Sequence, residues 1–169
     1  RDHRLRALFP TGVKTDCVYA QAQLDVVRRQ VAPPEPRPEW FQAPAPIWPF
    51  QGFVDASDGR AGIAVVTRGL PECECLTDED GSVVLAVTLL RCVEWLSRDD
   101  LTTRGGHAGP PVHTPGAQCQ GSHVFEYAVV PHSGTWVAGR MAQIAREYLS
   151  PPVCFMASVH PGGISEDVS

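Results

Sequence analysis

Alternation of apolar and polar residues dominates the chain. From Cys17 to Val31, Val18, Ala20, Ala22, Leu24 and Val26 fall on one side, with Tyr19, Gln21, Gln23 and Asp25 on the other. That period of two predicts one long, half-buried strand. Leu5 to Phe9 is apolar and extended in character, and Pro10-Thr-Gly12 turns it. Phe53-Val54 and Gly62–Thr67 read as two short strands joined by the hairpin turn Ser57-Asp-Gly59. Ser82–Leu96, entered through the turn Asp78–Gly81, is the strongest core candidate, because Val83, Val84, Val87, Thr88 and Val93 favour strand over helix. It is long for one strand, so a bend or bulge is expected near Arg91. Ser122–Val130 predicts a further strand with Phe125, Tyr127 and Val129 on one face, and Val153–Ala157 a short one before a polar tail.

The period changes once. Val137, Met141, Ile144 and Tyr148 are spaced as one face of an amphipathic helix over 137–149, and Pro151-Pro152 stops it. Residues 33–50 carry six prolines from Pro33 to Pro46 and a seventh at Pro49, punctuated by Trp40, Phe41, Trp48 and Phe50. Such a segment cannot join a central ladder, since each proline lacks a donor. It reads as a crossover pinned by its aromatics. The predicted fold is mainly β, an antiparallel β-sandwich of the supersandwich kind, in a single domain over 1–169 with one short helix.

Composition narrows the function. The chain has 169 residues, room for a substantial core, and its 16 prolines and 15 glycines gather between the periodic segments, as an all-β fold with many turns requires. A net charge of −5, with Arg28-Arg29 the only adjacent basic pair, argues against nucleic acid or an anionic membrane as partner. No apolar run is long enough for a spanning helix. The start, Arg1-Asp-His-Arg4, has neither a methionine nor a secretory core, so the expectation is a piece of a longer, cytoplasmic polypeptide. Six cysteines are too dilute for a disulfide scaffold. Cys73 and Cys75 should share one sheet face, while Cys17, Cys92, Cys119 and Cys154 stand singly, and free thiols are expected rather than a metal site.

Candidate chemistry gathers in a long polar loop over 97–121, and loops of that length in compact domains are usually functional or disordered. Asp99 and Asp100 are adjacent carboxylates, but neighbours on an extended backbone point apart and are badly placed to flank one reacting bond. They read as a loop anchor that accepts backbone N–H bonds and pairs with Arg98 or Arg104. His107 and His113 have no spacing that makes them face each other, and His132 reads as a turn residue whose ring bonds the backbone. No nucleophile elbow, Walker loop, dinucleotide fingerprint or zincin motif occurs. No catalytic residue, metal or cofactor is therefore expected within this chain.

Seven blocks in order carry a family resemblance: Gly52–Gly59, Val66–Pro71, Thr88–Arg91, Leu96–Asp100, Gly105–Pro110, Thr114–Gln118, and Phe125–Tyr127 with Pro131–Gly134. They resemble the carboxy-terminal β-domain of glycoside hydrolase family 38, the α-mannosidases, in the bacterial form. The resemblance implies that the catalytic aspartates and a divalent cation, zinc, belong to an amino-terminal barrel absent from this chain. It further implies a retaining hydrolase of α-mannosides as parent, whose own barrel and mannoside substrate are the partners. One loop of the β-domain reaches the active-site rim, carrying an acidic pair and Arg-Gly; the matching positions are Asp99, Asp100, Arg104 and Gly105. Leu101-Thr-Thr103 lengthens the spacing relative to the eukaryotic form. Glu72-Cys-Glu-Cys75 also departs from the pattern, with cysteine where an aromatic or aliphatic residue is expected. An Arg-Gly loop can offer guanidinium donors and an approachable carbonyl to sugar hydroxyls, positioning substrate without breaking bonds. Two other readings stand beside this one: a free-standing carbohydrate-binding module using Trp40, Trp48 or Trp136 as stacking platforms, and an interaction domain that mediates homo-oligomer assembly.

Overall fold

In the computed structural model, which describes residues 2–156 and 158, two antiparallel sheets pack face to face. The strands are β1 (His3–Pro10), β2 (Cys17–Gln21), β3 (Val26–Gln30), β4 (Ile47–Pro49), β5 (Phe53–Ser57), β6 (Ala61–Arg68), β7 (Glu72–Thr77), β8 (Val83–Cys92), β9 (Asp100–Leu101), β10 (Arg104–Gly105) and β11 (Glu126–Ser133). Among the described residues there is one α-helix, α1, spanning Met141–Leu149. One sheet has the order β1-β8-β7-β4, the other β11-β6-β5-β2-β3, and β9 and β10 form a small separate ladder. The expected β-sandwich with one helix is the observed fold.

Burial follows the strand period. Val18, Ala20, Val54, Ala56 and Val65 of the larger sheet meet Cys73, Cys75, Val83, Leu85 and Val87 of the smaller one in the main core. Alternate residues of the larger sheet, Phe53, Ala64 and Val66, point to its other face and are covered by Met141 and Ala145 of α1. The β5–β6 hairpin is therefore enclosed on both sides. On the outer face of the smaller sheet an ionic lattice covers β7. Glu74 accepts from Arg4 and from Arg6 Nη1 (2.6 Å), and Glu72 from Thr88 Oγ1 (2.7 Å) and Arg91 Nη1 (2.8 Å). Burial pushes the Glu72 carboxyl up, but Thr88, Arg91 and Arg4 outweigh it and hold the group below the ordinary carboxylate range.

Several expectations need correction. Residues 17–31 form two strands, β2 and β3, because the chain turns at Ala22–Asp25, where the Ala22 N–H donates to the Asp25 carbonyl (2.8 Å). Alternation continues through a hairpin and does not reveal the reversal. The bulge expected near Arg91 is present, at Leu89, where the register on β1 jumps from Leu5↔Leu90 to Arg6↔Thr88. The helix begins at Met141; Val137 is exposed and outside it, since Arg140 takes a left-handed conformation (φ 57°) that breaks the backbone there. Tyr127 and Val129 face the sandwich, as grouped, yet remain 43% and 46% exposed because β11 is an edge strand. Val153–Met156 is not a strand, and Ala157 lies outside the described residues. Residues 33–50 reach the sheet at an edge through β4, with Phe50 buried in the core and Trp48 half-buried, while Trp40 and Phe41, also expected to pin the segment, stay exposed.

His132 is the sharpest correction. It lies in β11, not in a turn; its Nδ1 does reach the backbone, at Ser133 O (3.4 Å), but its Nε2 sits 2.5 Å from Asp55 Oδ2, with both side chains shut away from solvent. Ser57 Oγ donates to Asp55 Oδ1 (2.6 Å). Ser57, Gly62 and His132 share one row across β5, β6 and β11. A Cβ on Gly62 would lie 2.5 Å from the His132 ring, and one on Gly139 2.7 Å from its other side. The imidazole is thus held between two glycine backbones while it bridges the edge strand to β5. Burial raises the Asp55 carboxyl, and the bonds from Ser57 and His132 pull it part of the way back. Gly62→Ala should destabilise the domain by about 1–3 kcal/mol through overpacking, measured by urea unfolding. An unchanged midpoint would show that the ring moves aside freely.

Candidate functional site

The 97–121 loop is built on two feet that continue the β8 ladder. Leu96 N–H donates to Val112 O (2.9 Å), Thr114 N–H to Glu94 O (2.8 Å) and Val93 N–H to Ala117 O (3.2 Å). Trp95 and His113 face each other across this bridge, their rings 5.2 Å apart. Pro115–Gln118 forms a 3-10 turn that closes the second foot.

Three contacts shape what lies between. Ser97 Oγ accepts from the backbone N–H of Ala108 (3.0 Å) and Gly109 (3.2 Å), folding the glycine-rich stretch back on itself. The tip of the β9–β10 ladder touches the proline-rich crossover, with Ala43 N–H donating to Thr103 O (2.8 Å). Arg98 clamps the base. Its Nε donates to Asp100 Oδ1 (2.7 Å) and its Nη1 to Asp2 Oδ2 (2.6 Å), while Asp2 Oδ1 accepts from Glu94 N–H (2.6 Å). The Glu94 N–H and then Arg98 hold the Asp2 carboxyl below its ordinary range, and Arg98 does the same for Asp100.

The acidic pair splits, as an extended backbone dictates. Asp100 turns to Arg98, and Asp99 to His107 Nε2 at 3.6 Å. Register pairing places Gly105 opposite Asp100 and Arg104 opposite Leu101, so three of the four predicted loop residues share one ladder while Asp99 points away. Arg104 pairs with neither aspartate; its Nε is buried without a hydrogen-bond partner among the described residues. It lines a cleft of about 580 Å³ together with Asp2, Arg4, Trp95, Arg98 and Leu101. A neighbouring hollow of about 360 Å³ is lined by Glu94, Asp99, Asp100 and His107. A cleft with one aromatic wall and several fixed polar groups suits a sugar-sized ligand.

Trp95 was not among the platforms named from sequence, although it is 40% exposed and forms part of the cleft wall. Its place next to β8 disguised it as core. Two of the three tryptophans that were named serve packing: Trp136 lies against Tyr19 and Phe53, and Trp48 against Phe50 and Arg29. Trp40 is met by Arg37 at 5.5 Å. His107 and His113 keep separate partners, and among the described residues no group of three histidine, cysteine or acidic side chains is placed to hold a metal ion. Among the described residues no helix is long and apolar enough to cross a membrane.

Because the folded-state carboxyls of Asp2 and Asp100 are depressed, their clamp stabilises the loop above the unfolded carboxylate pKa of about 3.9. It is lost as pH falls through their lower folded values. The Arg98 Nε–H NMR signal should therefore persist from neutral pH to about 5 and fade below about 4. Loss of the signal while both carboxylates are still ionised would mean that they do not hold the loop.

Comparison with known proteins follows the same outline. No protein-family model matches the chain. A curated relative from Halalkalibacterium halodurans, described as "Putative mannosylglycerate hydrolase", is 35% identical over 134 residues, 79% of this chain and 13% of its own length. A crystal structure of a protein in glycosyl hydrolase family 38 from Enterococcus faecalis superposes with a TM-score of 0.70 and 30% identity, over 96% of this chain and 16% of that one. An α-mannosidase from Enterococcus faecalis V583 matches with a TM-score of 0.64 and 33% identity, over 86% of this chain and 14% of its own. The chain spans roughly one-seventh of the length of the relatives it matches.

Proposed function

We propose that this chain, a glycoside hydrolase family 38 segment, is the carboxy-terminal β-domain of a larger α-mannosidase, and that it positions substrate without cleaving it. The observation that carries this reading is the disparity of coverage: 96% of the chain aligns with a family 38 protein of which it makes up 16%. On this reading the catalytic carboxylates and the divalent cation lie in the remainder of the enzyme. The cation, when bound there, would hold and polarise sugar hydroxyls. This chain contributes the 97–121 loop to the rim of that site.

The loop is suited to such a role. Arg98 is engaged by Asp2 and Asp100 and so holds shape, whereas Arg104 lines the cleft with no ion pair to either aspartate and with its buried Nε unpartnered among the described residues. An arginine fixed in a folded ladder loses less freedom on binding than one on a mobile loop, and neighbouring Gly105 leaves the backbone approachable. Trp95 offers an apolar face at the same cleft. The substrates to test are neutral α-mannosides and, in view of the H. halodurans relative's name, an α-mannoside of glycerate.

The test uses the full-length enzyme. Arg104→Ala should lower kcat/KM on an α-mannoside by about tenfold or more, equivalent to about 1.4 kcal/mol of transition-state stabilisation, with the unfolding midpoint unchanged. Wild-type kinetics in the variant would remove the loop from the substrate site.

A further inference from the structure

Two of the four cysteines that stand singly in the sequence come together in the fold. Cys92 ends β8 and is buried, and Cys119 follows the 3-10 turn at the second foot of the loop, half-buried. Val93 N–H to Ala117 O (3.2 Å) draws the two feet together beside these thiols. Burial, and then the adjacent Cys119 thiol, push the Cys92 thiol up. Cys119 is one of two non-glycine residues among those described with positive φ (48°), a conformation that costs a side-chain-bearing residue energy and that this fold nonetheless keeps. Its thiol lies 3.6 Å from Ala117 O, which tethers it toward the foot.

We propose that Cys92 and Cys119 are a redox-active pair whose disulfide locks the two feet of the 97–121 loop together. The ring so closed contains Arg98, Arg104 and the whole β9–β10 ladder, so oxidation would fix the loop as a unit. The remaining thiols are differently placed. Cys73 and Cys75 share one buried face, with Cys75 pushed up to about 12 by burial and Cys73 well above its ordinary range, which makes both poor nucleophiles. Cys17 is buried in the core sheet and Cys154 is exposed beyond α1.

The chemistry needs an electron acceptor, and a low-molecular-weight disulfide such as oxidised glutathione supplies one. The Cys119 thiolate, being the accessible partner, attacks a sulfur of that disulfide; one glutathione leaves as thiolate and takes a proton. Cys92 then loses its proton, attacks the Cys119 sulfur of the mixed disulfide, and expels the second glutathione. Two protein thiols become one disulfide, and one glutathione disulfide becomes two glutathione thiols. Since Cys92 is the buried member with the raised pKa, the second step should set the rate and quicken with rising pH.

The 169-residue chain carrying Cys154→Ser, incubated with oxidised glutathione, provides the test. Trypsin should release Cys92–Arg98 joined to Gly105–Arg140, each holding one cysteine, with a mass 2 Da below the sum of the two reduced peptides. The oxidised chain should melt on the order of 5–10 °C higher than the reduced one, as expected for a loop of this length. Cys92→Ser should stop at a stable mixed disulfide on Cys119. A persistent glutathione adduct on Cys119 in the chain that retains Cys92, or a disulfide joining any other pair, would overturn the proposal. The readout is independent of sugar chemistry, so it stands or falls separately from the mannosidase reading.

Discussion

The β5–β6 hairpin has to be covered twice, and most of the architecture answers that requirement. Val54, Ala56 and Val65 face one way and Phe53, Ala64 and Val66 the other, all withdrawn from solvent. A strand pair apolar on both faces needs a layer on each side. The smaller sheet supplies one layer and α1 the other. The covering elements are correspondingly one-sided: β7 turns Cys73 and Cys75 inward and Glu72 and Glu74 outward to its arginines, and α1 buries Met141 and Ala145 against the sheet.

A polar row runs through this apolar frame. Asp55 has no exposure, and a carboxylate in that position is tolerable only with partners of good geometry. Ser57 and His132 provide them, and Gly62 and Gly139 leave the volume that the imidazole occupies. The arrangement ties β11, the outermost strand of the larger sheet, to β5 two strands away, and the turn from Ser133 to Arg140 then delivers α1 onto the same face. No nucleophilic role attaches to Ser57: the carboxylate stands between serine and histidine, so the imidazole cannot take the hydroxyl proton. The row organises the fold.

The loop over the smaller sheet obeys the opposite logic. Its side chains are mostly exposed, and its shape comes from hydrogen bonds and ion pairs: Ser97 to the backbone of 108–109, Arg98 to Asp2 and Asp100, Thr103 to Ala43. Each is weak alone in water, so the loop is ordered by their number and by its feet on β8. A surface held in this way can carry a polar cleft lined by Arg104 without endangering the core beneath it.

Local chemistry determined a good deal from the sequence alone. Alternation and turn residues located most of the strands, the spacing around Met141, Ile144 and Tyr148 identified the helix, prolines confined 33–50 to an edge, and the blocks from Gly52 to Gly134 pointed to family 38. These signals are carried by residues a few positions apart, where backbone period and side-chain polarity are directly coupled. What the tertiary structure decided involves residues far apart in the chain: the reversal at Ala22–Asp25, the bridge from His132 to Asp55 over Gly62, the clamp of Asp2 on Arg98, the meeting of Cys92 with Cys119, and Trp95 at the cleft. None of these has a local signature, because each depends on sheet order and register, and register follows from packing both faces of the β5–β6 hairpin at once.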